Sequence, residues 1–132
     1  MAKRNKFKRR ETVDEILERI SERMFPAEMG QAKLTIDSRG ADGDGVLHCL
    51  LYNTERYSAL ALIQAGADVN AVGDLGYVPL HVSAFRNDAE MIQKLLDAGA
   101  DPRAKCEAGK TPLDTAIDRG CLDAAKVLRK AT

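Results

Sequence analysis

The feature that most constrains this chain is an internal repeat with a fixed period. The run AGAD at Ala65–Asp68 returns at Ala98–Asp101, and Gly76–His81 returns at Gly109–Asp114 with the same glycine, proline and leucine. Both motifs return after the same interval, so they belong to one repeating unit. A period of about 20 to 50 residues is typical of stacked arrays, in which each unit buries its apolar face only against its neighbours.

Length and composition favour one folded body with an appended tail. The chain has 132 residues, of which 45% are hydrophobic, and this suffices for one continuous core. The charged amino terminus and the lack of a long apolar run predict a soluble, cytoplasmic protein. The three cysteines include no C-x-x-C pair. This odd count suits a reducing compartment, and we interpret the thiols as incidental.

Charge is unevenly distributed along the chain. Residues 1–10 contain six basic side chains and no acid, which leaves 14 basic against 20 acidic residues in the rest. Like charges repel, so we expect a disordered basic tail over residues 1–11 attached to an acidic body.

Residues 12–39 precede the repeats. Thr12 and Glu15 fit a capping box, and the apolar residues that follow have helical spacing. We expect an amphipathic helix at about 12–25 that covers the first repeat as a cap. Residues 26–39 are predicted to be extended, with a short strand at 33–37 and a turn at 38–40.

Three copies of the repeat are aligned at residues 40–72, 73–105 and 106–132, and each is predicted to hold two helices. The first helix of copy two carries small side chains, and the second helices carry bulkier ones that allow close packing. Glycines are expected just past the second helix, and prolines in the first turn of the first helix. These residues are Gly66, Gly99, Pro79 and Pro112.

The pattern resembles the ankyrin repeat. Gly109–Leu113 matches the family's G-x-T-P-L, Gly76–His81 matches G-x-T-P-L-H without its threonine, and Leu62–Ala71 is nearly a full match to L-L-x-x-G-A-D-V-N-A. The resemblance implies an all-α solenoid of about three helix-pair repeats, capped by the amino-terminal helix, with a concave face of loop tips and first helices. It also implies a protein-binding module. The third copy lacks the Gly-Ala-Asp ending, as expected of a terminal repeat.

The residues give no sign of catalysis. His48 and His81 fall at the family's T-P-L-H position, where the resemblance implies a bond to the backbone of a neighbouring loop. No His/Cys cluster has zinc-ligand spacing, and the acidic run around Asp37, Asp42 and Asp44 lacks the bidentate glutamate of a calcium loop. No nucleophile or phosphate-binding motif is present. We therefore predict no enzyme activity, no metal site and no cofactor.

Positions that the family leaves variable are expected to contact a partner. The candidates are Asp44, Tyr52, Asn53, Asp74, Leu75, Tyr77, Phe85, Arg86, Lys110 and Arg119. Three of the six aromatic side chains are among them, and aromatic residues with arginine form binding hot spots. Our hypothesis is an exposed aromatic patch ringed by charged and amide side chains. The alternative is that Phe85 or Tyr52 is part of the core.

Two classes of function fit these observations. The first is a non-catalytic module that binds one partner protein through its concave face. Its specific form is an inhibitor or immunity protein against a basic bacterial toxin, since small stand-alone ankyrin proteins of bacteria include such proteins and an acidic groove would attract a basic partner. The alternative is a scaffold whose basic arm, residues 3–10, binds nucleic acid or an anionic surface. The tail could also dock on acidic surface of this chain or of a second copy.

Overall fold

Seven α-helices and one short 3-10 turn account for the secondary structure of the described part of the chain. A computed structural model describes residues 11–24, 34–40 and 43–132. The helices are Val13–Met24 (α1), Val46–Tyr52 (α2), Arg56–Gln64 (α3), Pro79–Phe85 (α4), Ala89–Asp97 (α5), Pro112–Asp118 (α6) and Leu122–Ala131 (α7). Within those ranges, strand pairing is limited to one isolated bridge. The predicted all-α class is confirmed.

Helices α2 to α7 form three pairs that follow the sequence period. The first helices α2, α4 and α6 begin at positions 46, 79 and 112, and the second helices α3, α5 and α7 begin at 56, 89 and 122, so both series advance by one period. Each first helix packs against the second helix of its own pair and against the first helix of the next pair, and the second helices pack against one another in the same order. The result is the predicted stack, whose core runs continuously from pair to pair.

The predicted helix boundaries follow from local chemistry. Pro79 and Pro112 are the first residues of α4 and α6, where no backbone N–H is needed for the helix. Gly66 and Gly99 lie just past α3 and α5 with φ of 97° and 98°, a left-handed conformation that glycine adopts without steric cost. Both predictions are confirmed.

Small side chains on one helix of a pair and large ones on the other fill the core. In α4, Val82 and Ala84 are fully buried, and α5 places Ile92 and Leu95 into the same core. Ser83 lies among them, 1% exposed, and its hydroxyl has no hydrogen-bond partner among the described residues. This hydroxyl is an unfavourable element in an otherwise apolar core.

Helix α1 covers the first pair, as predicted. The Oγ1 of Thr12 accepts a hydrogen bond from the N–H of Glu15, and the Glu15 carboxylate accepts one from the N–H of Thr12, which completes the capping box. Ile16 and Ile20 are buried against α2 and α3. Arg19 also links α1 to the repeats, because its guanidinium pairs with Glu55 of the α3 N-terminus as well as with Glu11 and Ser58.

The predicted strand at 33–37 is wrong over its described residues. The chain turns at Ile36 and Asp37, and the N–H of Ser38 donates to the carbonyl of Thr35 at 3.0 Å. The Ser38 hydroxyl in turn accepts from the N–H of Thr35 at 2.8 Å. These local bonds stabilise a turn that begins earlier than predicted, because a serine or threonine side chain can satisfy backbone groups that a strand would pair. Residues 25–33 and residues 1–10 of the predicted tail lie outside the described residues, whereas Glu11, the last residue of that predicted tail, pairs with Arg19 of α1 at 2.8 Å.

Candidate functional site

Three loops of one design precede the first helices. In each loop a backbone N–H donates to the carbonyl four positions later, from Gly40 to Asp44 at 2.8 Å, from Gly73 to Tyr77 at 2.8 Å and from Cys106 to Lys110 at 3.0 Å. Successive donors are separated by one period of the repeat. We call the surface formed by these three loops and by α2, α4 and α6 the inner surface.

Neighbouring loops are joined directly. Oδ1 of Asp44 accepts a hydrogen bond from the N–H of Asp74 at 2.8 Å, and the N–H of Glu107 donates to the carbonyl of Leu75 at 3.0 Å. One carboxylate oxygen of Asp44, a predicted partner-binding residue, is therefore engaged within the fold. The loops form a continuous row whose spacing is fixed by these bonds.

His48 and His81 add further hydrogen bonds between neighbouring loops. In each ring Nδ1 accepts the backbone N–H three positions earlier, Gly45 at 3.2 Å and Val78 at 3.1 Å. Nε2 therefore carries the hydrogen. It donates to the carbonyl of the next loop, Tyr77 at 2.7 Å from His48 and Lys110 at 2.9 Å from His81. The predicted structural role of both histidines is confirmed.

Burial determines the protonation of His81. The ring is fully buried, and desolvation lowers its pKa despite the opposing effect of the bond to the Lys110 carbonyl. His48 lowers the pKa of His81 further. In the third copy Asp114 stands at the histidine position, and its Oδ2 accepts the N–H of Thr111 at 3.1 Å. Asp114 thus makes the same hydrogen bond within its own repeat that the histidines make through Nδ1.

An aromatic cluster lies on the second repeat. The rings of Tyr77 and Phe85 meet edge to face with centroids 4.9 Å apart, and Tyr77 lies 5.5 Å from the ring of His81. The guanidinium carbon of Arg119, in the next repeat, is 4.4 Å from the centroid of Phe85. This contact is a cation–π interaction that holds the arginine in place.

The same two positions carry different chemistry in the next repeat. Lys110 and Asp118 stand one period after Tyr77 and Phe85, and they form an ion pair instead of a ring contact. The Asp118 carboxylate raises the pKa of Lys110, mainly through their hydrogen bond. The scaffold therefore tolerates either an aromatic or a charged pair here, as expected at a surface that is free to vary.

Arg86 and Arg119 are equivalent residues of successive repeats. They are the C-cap residues of α4 and α6, where a positive charge is favourable beside the helix carbonyls. Each reaches back to the preceding repeat, Arg86 to the carbonyl of Tyr52 and Arg119 to the ring of Phe85. Both side chains belong to exposed residues at the end of the inner surface opposite the loops.

Leu75 lies at the tip of the second loop and is 54% exposed. Its φ is 59° and that of Gly76 is 79°, and the N–H of Tyr77 donates to the carbonyl of Asp74 at 3.2 Å. Two left-handed residues inside such a bond define a type I′ turn, for which Asn-Gly is the favoured pair. A leucine here is both strained and solvent-exposed.

The structure changes the predicted patch in two respects. The three aromatic side chains Tyr52, Tyr77 and Phe85 are only partly exposed, and Tyr52 packs against the core. Arg119 does not lie at the edge of the patch but covers one face of Phe85. The aromatic side chains of the predicted patch are thus less exposed than expected, and Leu75 is its most exposed apolar residue.

The remaining candidates are dispersed around this cluster. Asn53 caps its own helix, since its Nδ2 donates to the carbonyl of Cys49 at 2.8 Å. Asp74 is exposed at the tip of the second loop. Two further variable positions expected to face a partner also belong to this surface, Asp118 through its ion pair and Val72 through its exposure beside the loops. The equal spacing of Tyr77–Phe85 and Lys110–Asp118 was the available signal for Asp118.

Potential metal ligands do not cluster in the described residues. No group of three or more potential ligands is found there, and Asp42 of the acidic run lies outside them. A cavity of about 210 Å³ separates the segment at 36–39 from the first repeat, and it is lined in part by Arg39, His48 and Asp68. Both ring nitrogens of His48 are engaged in hydrogen bonds to the backbone.

Comparison with known proteins agrees with this geometry. The family model described as "Ankyrin repeats (many copies)" matches residues 62–116. A search of curated proteins gave no match. Over the described ranges, no helix has the length and apolar character needed to span a membrane. Ankyrin repeats are generally protein–protein interaction modules and are typically non-catalytic. The family match over residues 62–116, the three stacked helix pairs and the histidine bonds between loops show that this chain contains ankyrin repeats.

Proposed function

We propose that the chain is a non-catalytic module that binds a partner protein through its inner surface, centred on Leu75, Tyr77 and Phe85. The observation that carries the proposal is Leu75. The exposed Leu75 lowers stability for two reasons. Its apolar side chain remains in contact with water, and its left-handed backbone conformation would suit asparagine or glycine better. Strain of this kind is commonly retained where a side chain is needed for function.

The surroundings of Leu75 suit a binding hot spot. Tyr77 follows it by two positions, and the edge-to-face contact with Phe85 gives both rings a fixed orientation. Rigid, partly buried aromatic side chains beside arginine contribute much of the affinity in protein interfaces. The hydrogen bonds between loops also pre-order the backbone that presents these residues, which reduces the entropy lost on binding.

The more specific prediction of a basic toxin as partner receives less support. It rested on an acidic groove, but the inner surface carries Arg86 and Arg119 beside the aromatic cluster. The alternative function of the basic arm depends on residues outside the described ranges and stays a prediction. Deleting residues 1–10 and measuring nucleic-acid binding at two salt concentrations tests it, because phosphate contacts are strongly salt-dependent.

Capture from an extract of the source cell tests the proposal. Three baits are compared: the unaltered chain, the double variant Tyr77→Ala/Phe85→Ala, and Tyr57→Ala as a control. Tyr57 is 81% exposed on α3, so its loss removes an aromatic side chain away from the inner surface. We expect a protein that is retained by the unaltered chain and the control and lost from the double variant. Equal retention by all three baits, with circular dichroism confirming that each is folded, contradicts the proposal.

A further inference from the structure

We propose that the partner segment bound at the inner surface is acidic, with carboxylates that pair with Arg86 and Arg119 and an apolar residue that packs on Leu75 and Tyr77. This inference rests on the proposed function and names the chemistry of the partner. It reverses the sequence-based prediction of a basic partner.

The first argument is that neither arginine has a carboxylate partner among the described residues. Arg86 donates to a backbone carbonyl and Arg119 lies over a ring, and among the described residues no acidic oxygen is within ion-pair distance of either. Lys110 of the same surface differs, because Asp118 neutralises it. A guanidinium has five N–H donors, so each arginine retains donors that an incoming carboxylate can accept.

The second argument is that both guanidinium groups are already ordered. The Tyr52 carbonyl holds one and the Phe85 ring holds the other. A flexible surface lysine must lose side-chain entropy when it binds, whereas these arginines have lost much of it in the folded chain. Arginine held in this way also suits bidentate pairing with a carboxylate.

The third argument is the arrangement of charge across the surface. The loop tips carry Asp74 and Glu107, and the opposite ends of the first helices carry Arg86 and Arg119. An acidic segment therefore fits along the helix ends and is repelled from the loop tips. Neighbouring packed helices are about 8 to 10 Å apart, and residues two positions apart lie about 7 Å apart on the same face of an extended chain. Acidic residues at alternate positions of an extended segment therefore face the two arginines together.

The competing interpretation is that the arginines only stabilise helix ends. A cation at a helix C-terminus is favourable by itself, and Arg129 in the last turn of α7 offers a comparison, since it is exposed and also near a helix C-terminus. Arg129 belongs to a second helix, away from the inner surface. The variant Arg129→Gln is therefore a matched control for Arg86→Gln/Arg119→Gln.

Selection from a displayed library of random peptides tests the inference on the full chain. Selected peptides are synthesised, and their affinities are measured by fluorescence anisotropy. The proteins compared are the unaltered chain, Arg86→Gln/Arg119→Gln, Tyr77→Ala/Phe85→Ala and the control Arg129→Gln. We expect enrichment of Asp and Glu together with an aromatic or aliphatic residue. We expect binding to weaken by about tenfold in the double variant, as two exposed ion pairs are lost, and to stay unchanged in the control. Higher salt should weaken binding to the unaltered chain and have less effect on the double variant.

The outcomes separate this inference from the proposed function. Neutral or basic peptides that still require Tyr77 and Phe85 overturn the acidic partner and leave the inner surface as the binding site. Acidic peptides that bind the double arginine variant as well as the unaltered chain overturn it too. Peptides that require neither the arginines nor the aromatic pair, or no binding peptide at all, contradict both proposals. A labelled single-stranded DNA that binds through both arginines overturns the inference in favour of a nucleic acid.

Discussion

Nε2 of His81 donates a hydrogen bond to the carbonyl oxygen of Lys110, 2.9 Å away in the following loop. Nδ1 of the same ring accepts the N–H of Val78 at 3.1 Å, and this second bond requires the neutral ring, because a protonated Nδ1 cannot accept. The protonation state of His81 therefore affects the hydrogen bonds that order the loops. It does so from a fully buried position, where the charged form is disfavoured.

The free energy of unfolding should fall when the pH drops below about 6.5. Burial lowers the pKa of His81 in the folded chain, so the unfolded chain takes up the proton first as the pH falls. The stabilisation is present above the unfolded pKa and is lost as the pH falls toward the folded one. Urea denaturation of the unaltered chain and of His81→Asn at pH values on either side of about 6.5 measures the effect. An equal pH dependence in both proteins would contradict this assignment.

Leu75→Asn should make the chain more stable and weaken partner binding. Asparagine tolerates the left-handed conformation of this type I′ turn, and we expect a gain of about 0.5 to 1 kcal/mol. Thermal denaturation measures the gain, and the affinity for the captured partner measures the loss. Val72→Asn is the control for the stability measurement alone, since Val72 is similarly exposed but has no positive φ. A stability gain that is equal in both variants would show that the turn is not strained.

Ser83→Ala should stabilise the chain by about 1 kcal/mol, because it removes a buried hydroxyl that lacks a hydrogen-bond partner among the described residues. The equivalent residue of the third copy is Ala116, which is fully buried. Ser58→Ala is the matched control. The Ser58 hydroxyl accepts a hydrogen bond from Arg19 at 3.1 Å, so its removal should bring no gain. Chemical denaturation compares the two, and a destabilised Ser83→Ala chain would be the contrary result.

Ile20→Ala should destabilise the chain by about 3 kcal/mol, as expected for a large-to-small change in a core. Ile20 is fully buried where α1 covers the first repeat, whereas Glu18 on the same helix is exposed. Glu18→Ala should change stability by less than about 0.5 kcal/mol. If the two variants were equally stable, α1 would not act as a cap.

The sequence was a good guide where one physical requirement determines the residue. Prolines at helix starts, glycines in left-handed conformations and histidines between loops each follow from backbone geometry that recurs from one repeat to the next. The turn at Ile36 and Asp37 was missed because the alternation of Leu34 and Ile36 suggested a strand, whereas side-chain bonds of Thr35 and Ser38 favour a turn.

The candidate site was predicted only in outline. The period shows that Tyr77, Phe85 and Arg119 share one face of the stack, but it does not specify which of them touch. The cation–π contact of Arg119 with Phe85 depends on the packing distance between α4 and α6, which no local sequence signal encodes. The same limit explains why Asp118 was not recognised as the partner of Lys110.

Amide hydrogen exchange of the chain with and without its captured partner tests the central claim most directly. If the inner surface binds the partner, exchange should slow in the second and third loops, at residues 73–77 and 106–110, and at the C-terminal ends of α4 and α6. The exposed faces of α3, α5 and α7 should exchange as before. Protection confined to those outer helices, with none in the loops, would contradict the account.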